Sequence, residues 1–222
     1  MKILIKFPTR GRRSKFLDTF AKYYDLCLDK NNIMFLITVD DDDQETNDKI
    51  FDEILNSYGN VIIDRGSSKN KIHAVNRGVN SINYDWDVLL LASDDMIPQV
   101  IGYDQIIRDN MNKFYPKKDG VLWFNDGFQG EKLNTLCVLG KKYYEKFNYI
   151  YYPEYKSCWS DNEFMQVANI LKKQTYIDLV IIKHEHPDWG FGQMDFVHHN
   201  NYKDHNFDHK LYLERKSNNF YV

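Results

Sequence analysis

Two adjacent carboxylates, Asp94 and Asp95, follow the apolar residues 88–92 in the segment WDVLLLASDDMIP. Neighbouring carboxylates repel each other, and a divalent cation would remove that repulsion and offer positive charge to phosphate oxygens. The alternative is a turn or a helix start, where Asp is common. Other residues of the chain favour the metal and phosphate site.

An acid also ends a second apolar run, IMFLITV at 33–39, where Asp40 begins a row of four aspartates. If the two runs are strands of one parallel sheet, their ends converge on a single crevice. Asp40 could then reach a ribose hydroxyl or a base edge of a nucleotide. The alternative is a solvated acidic turn, which accounts for part of 41–43.

Two histidines, His184 and His186, alternate along the segment KHEHPDWG. Alternating side chains of an extended segment face opposite ways, so one could bind a metal while the other is structural. A neutral imidazole beside two carboxylates would form a mixed nitrogen and oxygen site for Mn2+ or Mg2+. The alternative is that most histidines of this region are surface residues of a polar tail.

The segment CWSDNEF carries a candidate general base, Asp161, at the start of the helical pattern SDNEFMQVANILKK. Trp159 could shelter Asp161 from water and keep its pKa in a useful range. Acids in a first helical turn also complement the helix dipole, and Ser160 with Glu163 matches a capping box. Asp161 is therefore either a base or an ordinary helix-terminal acid.

The basic segment PTRGRRSK, at 8–15, supplies cationic side chains and backbone N–H groups that suit a diphosphate. An exposed basic turn is the alternative. Its glycine spacing matches neither a Walker A loop nor GxGxxG, so a dinucleotide cofactor is not expected.

Regular elements explain how these residues could meet. Continuously apolar strands alternate with amphipathic helices through the first half of the chain, which predicts a parallel sheet covered on both faces. Ligands bind at the carboxyl ends of such strands, where the acids and the basic segment lie. The predicted strands are 2–7, 33–39, 60–66 and 87–92, and the predicted helices are one that begins near Ser14, 44–57 and 70–82.

The second half of the chain has a different pattern, in which a mixed or antiparallel arrangement is expected. The polar tail is expected to be helical near its end. The predicted elements are strands at 120–127, 135–140 and 176–187 and helices at 160–173 and around 210–215.

The whole chain is expected to form one α/β domain, 1–222, with 1–100 as its nucleotide-binding half and 101–222 as the half for the acceptor and the metal-binding histidine. A formal net charge of −3 argues against a dedicated nucleic-acid coat protein, without excluding a nucleic acid as substrate. No signal peptide is recognised, and no apolar stretch approaches the roughly 18 residues of a membrane span. Three scattered cysteines without a CxxC pair are typical of a reducing compartment, so a cytoplasmic protein is predicted.

Taken in order, these segments resemble a GT-A glycosyltransferase of the family-2-like kind. FPTRGR is similar to its opening strand and nucleotide-binding loop, KIHAVNRGV to its AxNxG helix, LLLASDDMIP to its hydrophobic strand and DXD-type motif, WSDNEF to its acidic helix start and HEHPDWG to its C-terminal histidine. Ala92 departs from the commoner D-x-D-D form, so Asp94 and Asp95 carry the motif. The resemblance implies a Rossmann-like GT-A fold, a mostly parallel open sheet flanked by helices.

The resemblance also implies a role for each site residue. Asp161 would be the catalytic base, and Asp95 and His186 would bind the metal, with His184 as the alternative ligand. Donor binding is expected of Pro8, Thr9, Arg10, Arg13, Asp40, Lys71, Asn76 and Asp94, and a sugar or acceptor pocket of Trp123, Asp126 and Glu163.

The implied reaction moves a sugar from a nucleoside diphosphate sugar, with a UDP-sugar favoured, to a hydroxyl acceptor. It would use Mn2+ or Mg2+ and, with Asp161 as base, would invert the anomeric centre. In a retaining enzyme Asp161 would instead bind hydroxyls of the sugar or the acceptor. The acceptor could be a glycan, a protein or a modified nucleic-acid base. Two alternatives stay open: a nucleotidyltransferase, which attacks the alpha phosphate, and a non-catalytic module that binds a nucleotide or a glycan.

Overall fold

The computed structural model describes residues 1–185, 190 and 203–222. No helix among those residues is long and apolar enough to cross a membrane. The strands are β1 Ile3–Thr9, β2 Ile33–Asp40, β3 Val61–Gly66, β4 Val88–Leu91, β5 Met96–Pro98, β6 Val121–Phe124, β7 Val138–Gly140, β8 Gln174–Ile177 and β9 Ile182–His184. The helices are α1 Arg13–Asp25, α2 Lys49–Asn56, α3 Lys71–Asn76, α4 Tyr103–Phe114, α5 Lys141–Tyr144, α6 Ser160–Ile170 and α7 His205–Ser217.

Seven strands form one sheet in the order β3-β2-β1-β4-β7-β6-β8. Strands β3, β2, β1 and β4 are parallel. Strand β7 is antiparallel to both of its neighbours, and β6 pairs parallel with β8. The predicted α/β class, with a mostly parallel sheet and a mixed second half, is confirmed.

Strand β1 shows why the strands carry apolar residues on both faces. Ile3, Ile5 and Phe7 pack into a core that includes residues of α1, α2 and α4, whereas Leu4 packs into a second core with residues of α3, α5, α6 and α7. Because successive side chains of a strand face opposite ways, a strand between two helical layers must be apolar at almost every position. Lys6 is the exception and is fully buried.

The predicted strand at 176–187 is wrong in one respect, because the chain there forms two strands. β8 joins the main sheet, whereas β9 pairs antiparallel with β5, with Met96 opposite His184. Strand β5 was not expected, since a three-residue strand has too few positions to show alternation. This two-stranded ribbon brings His184 next to Asp95.

Several helix starts and ends also differ from expectation; helix α2, for example, begins at Lys49 and not at 44. Helix α3 ends at Asn76 instead of continuing to 82, because Arg77 takes extended backbone angles and Gly78 has a φ of +87°. Helix α6 begins after Trp159, which is in the left-handed region at φ +64°, instead of having Ser160 as its N-cap. Helix α1 has Arg12 as its N-cap and makes no side-chain capping bond there.

We expect Gly140→Ala to destabilise the fold by about 1–3 kcal/mol, as overpacking of a well-packed interior does. A Cβ at this position of β7 would overlap the backbone carbonyl of Lys118, which cannot move aside as a side chain can. The matched control is Gly66→Ala in β3, where the nearest atom is Arg77 Nη1 at 3.4 Å. That substitution should be neutral or stabilising by up to about 1 kcal/mol. Urea unfolding followed by circular dichroism measures both, and equal midpoints for the two variants would contradict the expectation.

Candidate active site

The carboxyl ends of the parallel strands and the first turns of α3 and α6 meet on one side of the sheet. Arg10, which follows β1, and Asp40, the last residue of β2, form an ion pair at 2.8 Å. The loop before α6 is joined to the start of α3 by a hydrogen bond from Ile72 N–H to the carbonyl of Lys156. Most of the residues expected to do chemistry are on these elements.

Asp94 has two cationic partners, the N-cap residue of α1 and a lysine in the first turn of that helix. Arg12 Nη1 lies 3.0 Å and Lys15 Nζ 3.6 Å from Asp94 Oδ1. Burial raises the pKa of Asp94, the charge of Arg12 opposes that rise and the charge of Asp95 adds to it. The repulsion between the two adjacent carboxylates is therefore partly offset by protein side chains. Neither Arg12 nor Lys15 was among the expected donor-binding residues, and the sequence does not indicate which residues of a basic loop face inward.

Asp95 is held in place by the β5–β9 ribbon. Its carbonyl accepts the N–H of Glu185 at 2.7 Å, and its Oδ2 lies 3.7 Å from His184 Nε2. Its other oxygen accepts the hydroxyl of Ser93. Burial by itself would raise the pKa of Asp95, but His184, Ser93 and the charge of Lys71 together hold that pKa below its usual value. Asp95 is therefore an ionised buried carboxylate next to an imidazole.

The donor set at this point fits a divalent metal. Asp95 supplies carboxylate oxygen and His184 supplies imidazole nitrogen, a combination that suits Mn2+. Ions of the Mg2+ kind are often bound by one or two protein groups and completed by water and substrate phosphates. The part of the chain that the structure describes holds no group of three or more metal-ligating side chains. His186, the expected ligand, lies outside the described residues.

Asp126 orients the histidine from its other side. The carbonyl of Asp126 accepts the N–H of His184 at 3.0 Å, and its Oδ2 lies 3.9 Å from His184 Nδ1. The carboxylate also accepts the N–H groups of Phe128 and Gln129 and the hydroxyl of Thr135. Asp126, expected in a sugar or acceptor pocket, is thus a buried anchor for a loop and for His184.

Asp40 is a buried acid with a cation on each oxygen. Arg10 donates to Oδ2 at 2.8 Å and Arg77 to Oδ1 at 3.5 Å. Arg77 also donates to Asp64 and to the carbonyl of Val39, so it joins the ends of β2 and β3. Arg77 lies one residue after Asn76 in the KIHAVNRGV segment, and the sequence analysis gave it no role.

A buried lysine, Lys6, forms a hydrogen bond with the backbone of Arg77. Lys6 Nζ donates to the carbonyl of Arg77 at 2.6 Å and to the hydroxyl of Thr38. Burial lowers the pKa of Lys6 to about 7, with Asp64 opposing the fall. The interior beneath the strand ends therefore contains a polar network, where the periodicity of β1 predicts only apolar contacts.

The basic segment after β1 is shaped by the acids after β2. Gly11 N–H donates to the buried Asp43 at 2.9 Å, whereas Asp41 and Asp42 are exposed in a turn, as was expected for part of 41–43. Arg13 contacts Asp48 and Glu45 near the start of α2 and not the end of β4. Pro8 and Thr9 are the last two residues of β1.

Asn76 has a structural role in the described contacts. Its Nδ2 donates to the carbonyl of Tyr151 at 2.7 Å, and its Oδ1 accepts the N–H groups of Ile150 and Tyr151. All the hydrogen bonds that we find for this side chain go to the 150–151 backbone. Asn76 therefore fastens α3 to the second half of the chain, where donor binding had been expected.

Asp161 lies in the first turn of α6, half-buried, with Oδ1 accepting the N–H of Asn162 at 2.9 Å. Burial raises the pKa of Asp161, and the charge of Lys71 opposes that rise. Lys71, the exposed first residue of α3, exerts the same attraction on Asp95. The positive charge of Lys71 thus acts on both Asp161 and Asp95.

Glu163 and Trp123 were expected in a sugar or acceptor pocket and are both buried. Glu163 makes a bidentate ion pair with Arg215, at 2.8 and 2.9 Å, and accepts the hydroxyl of Tyr155. Trp123, on β6, packs edge-on against Tyr176 with ring centroids 5.1 Å apart. The structure places Glu163 between α6 and α7, away from Asp161 on the same helix.

Comparisons with known proteins identify the class of fold. No protein-family model matches the sequence, and no curated protein matches it either. The mannosyltransferase PcManGT from Pyrobaculum calidifontis, solved with GDP-Man and Mn2+, is similar with a TM-score of 0.66 and 8% identity over 90% of this chain and 69% of that one. S. aureus TarS has a TM-score of 0.66 and 12% identity, and this chain covers 36% of its length.

A shorter form of TarS in complex with UDP is similar at a TM-score of 0.66 and 13% identity, over 82% of this chain and 60% of that one. The chain therefore has the fold of these glycosyltransferases, and the expected likeness to GT-A enzymes is confirmed at the level of the fold. At these identities the likeness concerns the fold, so the activity has to be argued from the site.

We expect Glu163→Gln to lower the free energy of unfolding by about 3–5 kcal/mol, because it leaves the buried guanidinium of Arg215 without its charge partner. Asp85→Asn is the matched control, since it breaks the exposed ion pair with Lys141. Exposed pairs contribute little, so the control should leave the unfolding midpoint unchanged. Thermal and urea unfolding of the three proteins measures this. A midpoint for Glu163→Gln equal to that of the unmodified chain would show that the buried pair is not needed.

Proposed function

We propose that this chain is a metal-dependent glycosyltransferase that moves a sugar from a nucleoside diphosphate sugar to a hydroxyl acceptor, with inversion of the anomeric centre. The observation that supports it most is the pairing of Asp95 with His184 at the strand ends, with Lys71 acting on both Asp95 and the sheltered Asp161. The fold shared with PcManGT and TarS supports the same class of reaction.

The donor would lie across the carboxyl ends of the first four strands of the chain, so that 1–100 is the nucleotide-binding half. Asp40 would accept hydrogen bonds from the base or the ribose, since a carboxylate has about four acceptor positions and Arg10 and Arg77 use only part of them. Lys71, exposed at the start of α3, would contact the diphosphate. A UDP-sugar is favoured, and similar structures contain UDP, UDP-GlcNAc or GDP-Man.

Asp95 and His184 would hold the divalent metal, and Asp126 would orient the imidazole from its other nitrogen. A bound Mn2+ or Mg2+ would supply positive charge to the departing diphosphate. A metal in complex with PcManGT supports this choice. Asp94, already paired with Arg12 and Lys15, would align that pair of cations with the donor.

Asp161 would act as the general base. The acceptor oxygen attacks the anomeric carbon as the bond from that carbon to the diphosphate oxygen breaks, and the hydroxyl proton passes to the Asp161 carboxylate. A base is more effective when its pKa is raised towards the working pH while it stays ionised. Burial raises the pKa of Asp161, and Lys71 limits the rise, which suits that role.

The half at 101–222 would bind the acceptor, for which a glycan, a protein and a modified nucleic-acid base remain the candidates. From the same donors a nucleotidyltransferase, which attacks the alpha phosphate, would release a sugar 1-phosphate instead of a nucleoside diphosphate. A non-catalytic binding module would release neither. The product of a donor assay therefore distinguishes the three functions.

We expect release of nucleoside diphosphate when the protein is incubated with Mn2+ and UDP-GlcNAc, UDP-glucose or GDP-mannose, and a loss of about 10²- to 10⁴-fold in Asp161→Asn, the usual contribution of a general base. Asp109→Asn, on the exposed side of α4, is the control and should keep full activity. Anion-exchange chromatography measures the product. Equal rates for Asp161→Asn and the unmodified protein, with both folded, would remove Asp161 from the mechanism.

We also expect Asp95→Asn and His184→Gln each to weaken Mn2+ binding by at least about tenfold in the presence of UDP, because each removes one of the two protein ligands. Electron paramagnetic resonance of free Mn2+ measures this without turnover. Asp18→Asn, an exposed acid of α1, is the control. Unchanged Mn2+ binding in both variants would move the metal site elsewhere.

A further inference from the structure

Helix α7 holds the segment that leads to Asp161. The carboxylate of Asp208 accepts the backbone N–H of Lys156 at 2.9 Å, of Ser157 at 2.9 Å and of Cys158 at 2.8 Å. Asp208 is 0% exposed, so water cannot take the place of these bonds. Hydrogen bonds to an ionised acceptor are about twice as strong as neutral ones, and three on one carboxylate fix the course of a short segment.

Further contacts from α7 fasten the residues on either side of Asp161. Trp159 Nε1 donates to His205 Nε2 at 3.2 Å, and the ring of Trp159 stacks on His209 with centroids 4.4 Å apart. On the other side, Arg215 makes its bidentate ion pair with Glu163. Helix α7 therefore contacts the chain immediately before and immediately after the candidate base.

The conformation held in this way is not one that the segment would adopt by itself. Trp159 has a φ of +64°, in a region that bulky residues rarely occupy and that costs about 1–3 kcal/mol. Such a residue keeps its conformation only where its surroundings determine it. The turn at Trp159 sets the direction in which α6 starts, and so the position of Asp161 relative to Lys71 and Asp95.

We propose that Asp208 is a positioning residue for the transfer reaction: by binding three backbone N–H groups of 156–158 it fixes the turn that presents Asp161 to the acceptor hydroxyl. This inference rests on the proposed role of Asp161 as the base. Among the contacts described, α7 supplies no group to the strand ends. The inference nevertheless gives α7 a part in catalysis, through the 156–161 segment. Loosening that segment would reduce the rate more than it weakens donor binding, because most of the proposed donor contacts come from the strand ends of the first half of the chain, although Lys71 precedes Ile72, whose N–H bonds to the carbonyl of Lys156 in this segment.

A matched control separates positioning from stability. Asp104, on α4, is also 0% exposed and accepts two backbone N–H groups, from Leu28 at 2.9 Å and Asp29 at 3.0 Å. The 28–29 loop joins α1 to the start of β2, so it lies at the amino ends of the parallel strands, away from the site. Asp104 also pairs with the buried Arg108, so Asp104→Asn removes a buried anchor together with an ion pair, and costs at least as much stability, without touching the 156–161 segment.

The experiment compares Asp208→Asn with Asp104→Asn in the full chain, using Mn2+ and the donor of the panel that is hydrolysed fastest. In Asp208→Asn we expect kcat for donor hydrolysis to fall by about 10- to 100-fold, the usual effect of a displacement near 1 Å, with a smaller change in KM for the donor. Hydrogen–deuterium exchange at 156–158 should speed up. In Asp104→Asn the exchange at 156–158 and the kcat of the folded protein should stay as in the unmodified chain.

The pH profile supplies a readout that a loss of stability would not move. The base must be ionised, so the rate falls as the pH drops through the pKa of Asp161, which burial raises and the charges of Lys71 and His184 lower. A looser segment admits water to Asp161, its pKa falls towards the ordinary value, and the acid limb of the profile moves to lower pH in Asp208→Asn. If that variant does not fold, Asp208→Glu keeps the charge and the acceptors but displaces the segment, and the same shifts are expected.

Two results would overturn this inference and leave the proposed function standing. One is unchanged exchange at 156–158 in a folded Asp208 variant. The other is a fall in kcat that Asp104→Asn reproduces, with the acid limb of the pH profile unmoved. Failure of the proposed function looks different. The unmodified protein would then release no nucleoside diphosphate from any donor, and the role given to Asp208 would fall with it.

Discussion

Buried carboxylates at the ends of parallel strands need partners, because an unpaired charge in a protein interior is strongly destabilising. Much of the architecture supplies them. Arg12 and Lys15 accompany Asp94, Arg10 and Arg77 accompany Asp40, and the β5–β9 ribbon brings His184 to Asp95. Among the described residues, Asp94 and Asp40 are matched by protein cations, whereas the basic side chains that act on Asp95 are His184 and Lys71. That difference is why we place the metal at Asp95.

The second half of the chain supports the site more than it lines it. Asp126 anchors His184, Asn76 is fastened to the 150–151 backbone, and Glu163 is bonded to Arg215. Each of these polar residues had been expected to contact a substrate. In the structure each one satisfies polar groups of the protein, which is a common role of a polar side chain away from the surface. A polar residue in a site motif is thus often part of the frame that positions its neighbours.

The sequence predicted the first four strands of the sheet well, because strands buried on both faces are short continuous apolar runs. It also identified the ends of those strands as the region of interest. It did not predict β5, the end of α3 or the turn at Trp159. Those features depend on pairing with β9, on the positive φ of Gly78 and on contacts from α7, none of which has a local pattern.

The sequence by itself determined the alternation of strands and helices, the fold class and the set of acids and bases at the strand ends, because these follow from local hydrophobic periodicity and from the parallel sheet that it implies. Only the tertiary structure decided which cation meets which carboxylate, that His184 lies beside Asp95, and that Asp208 holds the segment before Asp161. These pairings join residues far apart in the chain. Their partners are chosen by packing and by the need to satisfy buried charge, and that information is not present in any short stretch of residues.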